Sequence, residues 1–159
     1  MKNKIFVSGA TGIQGKSITN ELLSTGQQVV SISRSPNEVD KNTNFTVYKG
    51  SFENEDSINF ALKDAYKAVF TLPMIFDIEK AIRFTKNFIK AAIKNDIELV
   101  IFNSSFDLPN TNTGFVSLDL KVTVSNLLKE SNLNIITLVH DIYLDNLTAP
   151  WSIDLIKEG

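Results

Sequence analysis

Glycines spaced three residues apart are the first residues whose type and position could do chemistry. Gly9, Gly12 and Gly15 follow the strand-like run at 5–7 and begin a segment of helical period. In that context Gly9 permits a tight turn, and Gly12 lets backbone amides approach a phosphate at the positive end of a helix. Gly15 lies on the packed face, where its missing side chain allows the helix to lie close to a sheet. Ordinary turn glycines are the alternative, but the strand–turn–helix context favours a pyrophosphate site.

The end of the second strand-like run carries Ser33 and Arg34. An NAD site usually has Asp or Glu at this point, where the carboxylate binds the ribose 2′-hydroxyl. A guanidinium instead suits a 2′-phosphate, because its planar fork makes paired, charge-assisted hydrogen bonds. NADP(H) is therefore favoured over NAD(H) as cofactor. The alternative for Arg34 is an exposed arginine in a loop.

Composition excludes several classes of function. The chain has 159 residues, the length of one domain, and contains no cysteine, which excludes disulfides, thiolate nucleophiles and zinc–cysteine sites. With 16 Lys+Arg against 18 Asp+Glu, it is not a generic nucleic-acid binder. No apolar run reaches the roughly 18 residues that span a bilayer, and residues 1–4 lead into a strand instead of a signal peptide. These features predict a cytoplasmic protein without a membrane segment.

Short β-branched runs alternate with helical segments along the whole chain. This alternation predicts an α/β fold with a doubly wound parallel sheet of five or six strands, in the order 3-2-1-4-5-6, with helices on both faces. The strands are predicted at about 5–7, 29–32, 45–48, 68–72, 99–102 and 135–139, and the helices at about 13–24, 56–62, 78–93 and 117–131.

The most regular helix precedes the fifth strand. Its apolar stripe is predicted to face the sheet and consists of Ile78, Ala81, Ile82, Thr85, Phe88, Ile89, Ala92 and Ile93. The opposite, solvated side is predicted to carry Lys80, Arg83, Lys86, Lys90 and Lys94. Residues 1–148 are predicted to form a dinucleotide-binding domain. Residues 149–159 would begin a C-terminal substrate region that is largely absent.

Further motifs follow the glycine loop and Arg34 in a fixed order. They are Tyr48-Lys49-Gly50-Ser51, Ala68-Val69-Phe70 leading to Pro73, Ala91-Ala92, Val100 to Ser105, Lys121, Leu127-Leu128 and Asp145-Asn146. In this order the chain resembles the NmrA-like branch of the atypical short-chain dehydrogenase/reductase family. The resemblance implies a Rossmann-type domain that binds NADP(H), followed by a smaller substrate region. Some members are reductases or isomerases, and others are dinucleotide sensors that bind regulatory partners.

The resemblance also implies positions for the cofactor. The glycine loop would contribute Gly9, Thr11, Gly12, Ile13, Gln14 and Gly15, and the second strand Ser33 and Arg34. Ser51 and Phe52 would lie by the adenine, Thr71, Leu72 and Pro73 would line the groove, and Lys121 would reach the nicotinamide ribose. Ser104, which ends the fifth strand where the wider family places a catalytic serine, is expected to be a further cofactor-binding residue. Ser104 and Ser105 could equally satisfy backbone groups in a turn.

The chain departs from the wider family where the proton donor is expected. Enzymes of that family use a Tyr four residues before the Lys, whereas Ser117 stands here, and a serine hydroxyl is too weak an acid to act unaided. Gly50-Ser51 replaces a frequent Gly-Asp, and Val139-His140 replaces a frequent Arg-Pro. The catalytic residues are therefore left unassigned.

The remaining candidates carry weaker signals. His140 is the only histidine, so no histidine metal cluster can form, and a Ser–His–Asp triad lacks a GxSxG motif. Asp141 and Asp145 could form an acid pair, but surface loop positions are favoured. Tyr143 could line a substrate pocket, and Trp151 is predicted to pack within the C-terminal region. No metal site is predicted.

Three functions remain open on the sequence. The leading one is an NADP(H)-binding protein that reduces an unidentified small molecule. The alternative is a non-catalytic sensor in which NADP(H) occupancy changes contact with a regulatory protein. The third is a truncated product without activity of its own. The sequence predicts neither the substrate nor the oligomeric state.

Overall fold

The computed structural model describes residues 3–36, 44–105, 107–111 and 113–140, together with Tyr143, Ile153 and Lys157. The strands of this part of the chain are β1 (Lys4–Val7), β2 (Gln28–Ser33), β3 (Phe45–Lys49), β4 (Ala65–Phe70), β5 (Leu99–Asn103) and β6 (Ile135–Leu138). Its helices are α1 (Ile13–Ser24), α2 (Glu55–Leu62), α3 (Ile78–Lys94) and α4 (Val116–Lys129).

The strands form one parallel sheet in the order β3-β2-β1-β4-β5-β6. This confirms the predicted doubly wound α/β fold and its strand order. From the central strand β1, the strands β2 and β3 follow outward on one side, and β4, β5 and β6 follow outward on the other side. The carboxyl ends of β1 and β4 therefore flank the point where the strand order reverses, which is where ligands bind in open α/β sheets.

The core lies on both faces of the sheet. On one face α2, α3 and α4 cover a cluster whose largest members include Phe6, Phe70, Phe88 and Phe102. The rings of Phe70 and Phe88 are stacked with their centroids 4.3 Å apart. On the other face α1 packs over the residues Ile5, Val7, Ala10, Val29 and Val69. Four of the six residues of β2 are buried because both of its faces are covered, whereas three of the four residues of the edge strand β6 are exposed.

The helices begin in two different ways. Asn54 and Asp77 cap α2 and α3, because their side-chain oxygens accept hydrogen bonds from the amides of Ser57 (2.8 Å) and Lys80 (3.0 Å). In contrast, the N-cap residue of α1 is Gly12, which has no side chain to cap the helix. The first amides of an α-helix have no partner within the helix, so the start of α1 can offer them to a ligand.

The fourth strand begins three residues earlier than predicted, at Ala65 instead of Ala68, and ends two residues earlier, at Phe70. It begins at Ala65 because β1 pairs with it from Lys4 onward, across an irregularity in register between Lys4 and Ile5. Ala65 and Lys67 are poor strand formers, so this run gave little signal although Tyr66 favours strands. The strand ends at Phe70 because the next amide, that of Thr71, donates to Ser8 Oγ (2.6 Å) instead of a neighbouring strand.

The buried face of α3 differs from its predicted stripe. Phe84 and Ala91 are buried although they were not expected to be, whereas Ile78 and Ile93 are 44% and 48% exposed. The helix packs against α2 on one side and α4 on the other, so its middle is covered over a wide arc and its ends protrude. The last helix and strand match their predicted positions within two residues. In the described part of the chain, no helix combines the length and apolarity required to cross a bilayer.

Candidate functional site

A cleft of about 310 Å³ lies at the carboxyl ends of β1, β2 and β3, beside the start of α3. The predicted site residues that line it are Gly9, Thr11, Ser33, Arg34, Ser51, Phe52 and Pro73. It is also lined by residues that were not predicted, namely Ile32, Gly50, Glu53, Met74, Ile75, Lys80 and Phe84. Sequence positions from four separate segments thus meet in one cavity at the edge where an α/β sheet binds ligands.

The glycine loop has the shape of a phosphate cradle. Gly9 has φ +62°, a left-handed conformation that other residues rarely adopt, and its carbonyl accepts a hydrogen bond from the Gly12 amide (2.8 Å). A Cβ at Gly12 would lie 3.3 Å from that carbonyl oxygen. A Cβ at Gly15 would overlap the Gly9 carbonyl and come within 2.9 Å of Ala10 Cα. Gly15 is therefore required for packing of helix against loop, whereas Gly12 keeps the loop open.

The start of α1 continues this cradle. Ile13 and Gln14 belong to its first turn, where the amides point away from the helix and the helix dipole is positive. Gly12 places no side chain in front of these amides, and the loop leads directly into the cleft through Thr11. These residues fit a pyrophosphate, since they present several donors and a positive dipole at one place.

The mouth of the cleft carries more positive than negative charge. Lys80 Nζ forms an ion pair with Glu53 Oε1 at 2.8 Å. This hydrogen bond and the charge of Lys80 lower the pKa of the Glu53 carboxyl below its usual value, and Arg83 and Arg34 lower it further against the opposing effect of burial. Lys80 and Arg83 are thus paired with Glu53 and Glu79 (3.9 Å), and Arg34 adds a further positive charge, which favours an anionic ligand. Lys80 was predicted on the solvated side of α3; its side chain is 36% exposed, and it also lines the cleft because the first turn of α3 borders it.

Ser51 and Phe52 form the floor of the cleft after β3. Ser57 Oγ accepts a hydrogen bond from the Ser51 amide (3.1 Å) and donates to the Ser51 carbonyl (3.0 Å), and Asn87 Nδ2 donates to the Phe52 carbonyl (2.9 Å). The Phe52 ring packs edge-on against Phe70 in the core, with centroids 5.6 Å apart. Contacts from α2 and α3 therefore hold the backbone of the floor, and the Phe52 ring belongs to the core.

The residues after β4 contact either the cleft or the core of the sheet. Pro73 lines the cleft, while Leu72 packs against the core. Thr71 is held by Ser8, whose hydroxyl accepts from the Thr71 amide and donates to its carbonyl (3.0 Å). Ser8, which sequence reasoning did not single out, therefore ties the ends of β1 and β4 together at the point where the strand order reverses.

Ser104 and Lys121 meet at the carboxyl end of β5. Lys121 Nζ donates to the Ser104 carbonyl (3.0 Å), and burial lowers the pKa of Lys121 below its usual value. Ser104 is fully buried, and its hydroxyl donates to the Leu138 carbonyl (3.1 Å) at the end of β6. Ser104 is thus held at the end of β6 by its hydroxyl as well as by its amide, which donates to the same carbonyl (3.1 Å). Ser117, four residues before Lys121, is exposed in the first turn of α4.

A polar cluster that the sequence did not predict lies beside these residues and is centred on Asn103. This side chain is 4% exposed, and its Oδ1 accepts from the Ser105 amide (3.0 Å), His140 Nε2 (2.9 Å) and the Tyr143 hydroxyl (3.2 Å). Its Nδ2 donates to Gln14 Oε1 (3.4 Å). We refer to Asn103, His140 and Tyr143 as the Asn103 cluster. A single asparagine at a strand end has no characteristic spacing, so no signal in the sequence could have identified it.

Other predicted candidates are not brought together. Within the described residues, no group of three or more His, Asp or Glu side chains is arranged to hold a metal ion. The Asp141–Asp145 pair, Trp151 and most of the segment 149–159 lie outside the described residues.

Comparison with known proteins places the fold in context. A model of the NmrA-like family matches residues 1–158. A nucleoside-diphosphate-sugar epimerase from Staphylococcus aureus has a similar structure, with a TM-score of 0.83, 23% identity, and coverage of 98% of this chain and 56% of that one. The NADPH-dependent quinone oxidoreductase of Escherichia coli, complexed with NADPH, has a TM-score of 0.78 and 21% identity. The match covers 97% of this chain and 54% of that one.

A third structure, the triphenylmethane reductase of Citrobacter sp. complexed with NADP(H), gives a TM-score of 0.77 and 18% identity over 98% of this chain and 55% of that one. The chain thus spans just over half the length of each of these structures, and at such identities the similarity concerns the fold. No curated protein matches the chain.

Proposed function

The chain belongs to the NmrA-like family, and on that premise we propose that it binds NADP(H) and uses it to reduce a small molecule. The observation that carries the proposal is the cleft at the ends of β1, β2 and β3, in which a glycine cradle, Arg34 and Lys80 converge. Two of the similar structures, a triphenylmethane reductase complexed with NADP(H) and a quinone oxidoreductase complexed with NADPH, support the same assignment.

The pyrophosphate would lie against the glycine loop. Gly12 keeps side chains away from it, and the first amides of α1 donate hydrogen bonds to its oxygens. The adenosine half would extend toward Ser33 and Ser51, which line the cleft on the β2 and β3 side. The nicotinamide half would then extend toward Ser104 and Lys121, where the Lys121 ammonium can donate to the ribose. When bound in this way, the dinucleotide would supply a hydride.

The charges at the mouth favour the 2′-phosphate of NADP(H). A cleft built for NAD(H) holds the ribose 2′-hydroxyl with a free carboxylate. The carboxylate found here, that of Glu53, is already paired with Lys80 and is surrounded by further cations. Arg34 is exposed at the same mouth, where its guanidinium can bind a phosphate in bidentate fashion.

The domain assignment forms part of this proposal. Residues 1–148 would constitute the dinucleotide-binding domain, and residues 149–159 would begin a C-terminal substrate region. The cytoplasmic location predicted from the sequence belongs to the same proposal.

A second candidate is a sensor that binds NADP(H) without turnover. The exposed Ser117 favours it, since this position carries a tyrosine proton donor in the enzymes that the chain resembles. In that case occupancy of the cleft would alter contact with a regulatory protein.

The affinities for NADPH and NADH test the binding half of the proposal. We expect tighter binding of NADPH, and a loss of about 1.5–3 kcal/mol of NADPH affinity, or roughly 10- to 150-fold, in Arg34→Ala. Lys80→Ala should also weaken NADPH binding, because it leaves the Glu53 carboxylate unpaired beside the phosphate. Lys86→Ala is the matched control, since Lys86 is exposed on α3 away from the cleft. Equal affinity of the unaltered protein for the two dinucleotides would refute the assignment.

Turnover separates the reductase from the sensor. Oxidation of NADPH in the presence of small aldehydes and quinones supports the reductase. Binding of NADPH with no oxidation by any of these compounds supports the sensor.

A further inference from the structure

The Asn103 cluster lies on the half of the sheet edge that the glycine cradle does not occupy. Asn103 ends β5, and its side-chain amide donates to Gln14 in the first turn of α1. The next residue, Ser104, accepts a hydrogen bond from Lys121. The phenol of Tyr143 and the ammonium of Lys121 are therefore anchored to consecutive residues at the same strand end. A dinucleotide whose pyrophosphate lies on α1 would bring its nicotinamide toward this place.

The hydrogen bonds of Asn103 make the Tyr143 hydroxyl easy to release. A carbonyl oxygen has two lone pairs, yet Asn103 Oδ1 faces three donors. The Ser105 amide (3.0 Å) and His140 Nε2 (2.9 Å) are the shorter contacts, and the Tyr143 hydroxyl (3.2 Å) is the longest. When the phenol turns to another acceptor, Oδ1 keeps two partners, so neither group is left unsatisfied. His140 also packs its ring against that of Tyr143, with centroids 4.7 Å apart, which holds the phenol nearby.

We propose that Tyr143 is the proton donor for the reduction and that the substrate is a small aldehyde or ketone, an inference that rests on the function proposed above. As the substrate's carbonyl carbon accepts a hydride from the dihydronicotinamide, the π electrons of its C=O bond move to oxygen. That oxygen takes the proton from Tyr143, whose O–H bond breaks. The products are an alcohol, the oxidised dinucleotide and a tyrosinate that regains its proton from water. Asn103 is the positioning residue that holds the phenol until the substrate oxygen replaces it.

The other side chains of this region are less suited to the task. Ser117 is a far weaker acid than a phenol. The Lys121 ammonium donates to the Ser104 carbonyl, and His140 directs Nε2 to Asn103. A phenol is much more acidic than the alcohol that forms, so the transfer of its proton to the developing alkoxide is downhill.

Two probe substrates distinguish proton donation from a structural role. Reduction of benzaldehyde generates a strongly basic alkoxide that needs a proton donor, whereas reduction of menadione generates a hydroquinone anion that is stable without one. We expect Tyr143→Phe to lower kcat for benzaldehyde by about 10²-fold or more and to leave kcat for menadione and the Kd for NADPH nearly unchanged. Asn103→Ala should show the same division between substrates. Tyr66→Phe is the control, because the Tyr66 hydroxyl contacts Gln27 near the opposite end of the sheet.

A measurement without turnover provides an independent readout. The chain has three tyrosines, so carbon-13 labelling of the tyrosine Cζ gives three resonances, and Tyr143→Phe identifies the one from Tyr143. In the presence of NADP⁺, which cannot donate a hydride, added benzaldehyde should shift the Tyr143 resonance and leave those of Tyr48 and Tyr66 unmoved. Asn103→Ala should shift the same resonance in the free protein.

The outcomes distinguish failure of the Tyr143 proposal from failure of the proposed reductase function. Equal loss of benzaldehyde and menadione reduction in Tyr143→Phe, or no loss of either, overturns the role of Tyr143 and leaves the reductase in place. Reduction of menadione but not of benzaldehyde by the unaltered protein overturns the role and the substrate class together. Binding of NADPH with no reduction of either probe overturns the reductase itself. A Tyr143 resonance that benzaldehyde does not move also overturns the role.

Discussion

The two halves of the sheet edge are built by different means. The half at β1 and β2 is made mainly of backbone, namely the glycine loop 9–15 and the uncapped start of α1. The half at β5 and β6 is made of side chains, with Asn103 and Lys121 at its centre. A backbone site requires a fixed local spacing of glycines and is visible in the sequence. Asn103 meets Tyr143 and Gln14 across 40 and 89 residues, and no local spacing encodes such contacts.

Substitution of Gly15 is expected to have the largest effect. In Gly15→Ala the new Cβ overlaps the backbone of Gly9 and Ala10, and backbone cannot move aside as a flexible side chain can. We expect a loss of about 3 kcal/mol or more of unfolding free energy, which denaturant titration measures. If the variant is as stable as the unaltered protein, the first half of the edge is not held by glycine packing.

Gly12→Ala is expected to separate binding from folding. Its Cβ would lie 3.3 Å from the Gly9 carbonyl oxygen, so the loop must shift by a few tenths of an ångström while the helix keeps its place. We expect an affinity for NADPH at least about tenfold weaker, measured by fluorescence titration, with little change in unfolding free energy. Ser17→Ala, at an exposed position of α1, should change neither quantity. A parallel loss of stability would mean that both glycines serve packing alone.

The β5 and β6 half is tested by Lys121→Ala and Ser117→Tyr. Lys121→Ala removes an ammonium donor, and we expect about a tenfold weaker affinity for NADPH. Ser117→Tyr should not weaken binding, because Ser117 is exposed in the first turn of α4. Titration with NADPH decides both. An unchanged affinity in Lys121→Ala would show that this half does not contact the dinucleotide.

The smallest expected effect concerns the loop that leads into α4. Asp119 accepts hydrogen bonds from the Thr113 amide (2.7 Å), the Thr113 hydroxyl (3.1 Å) and the Gly114 amide (3.0 Å), and these bonds lower the pKa of its carboxyl. A lowered pKa in the folded state means that the carboxylate stabilises the protein above about pH 4 and loses this effect as the pH falls through the folded value.

Asp119→Asn should therefore lower Tm slightly at neutral pH, and the difference from the unaltered protein should shrink in acid. Thermal melts at several pH values provide the comparison. A difference in Tm that does not change with pH would show that the charge of Asp119 contributes nothing.

The fold was largely predictable because its signals are local. The glycine loop, the β-branched strands and the apolar stripe of α3 each repeat within a few residues, and together they predict the strand order that the structure has. The exceptions have local causes as well. The run 65–67 contains residues that disfavour strands, and Thr71 looks like a strand residue although its amide bonds to Ser8.

The candidate site was predictable only in part. Arg34 and Ser51 follow strands whose ends meet at one edge, so their convergence can be inferred from topology. Lys80 could not be placed in the same way, because a helical pattern shows which residues share a face but not which turn borders a cavity. The Asn103 cluster depends on contacts of His140 and Tyr143 with the end of β5, which are decided by tertiary packing.

The close approach of Gly15 to the Gly9 carbonyl affects how descendants of this protein can be interpreted. A lineage that stopped using a dinucleotide would still be selected to fold, so it would retain Gly15 while Gly12 became free to drift. The presence of Gly15 therefore indicates descent from this fold, whereas the presence of Gly12 indicates that the dinucleotide is still bound. Among sequences descended from this fold, the loss of Gly12 with Gly15 retained would mark the branches in which binding was abandoned.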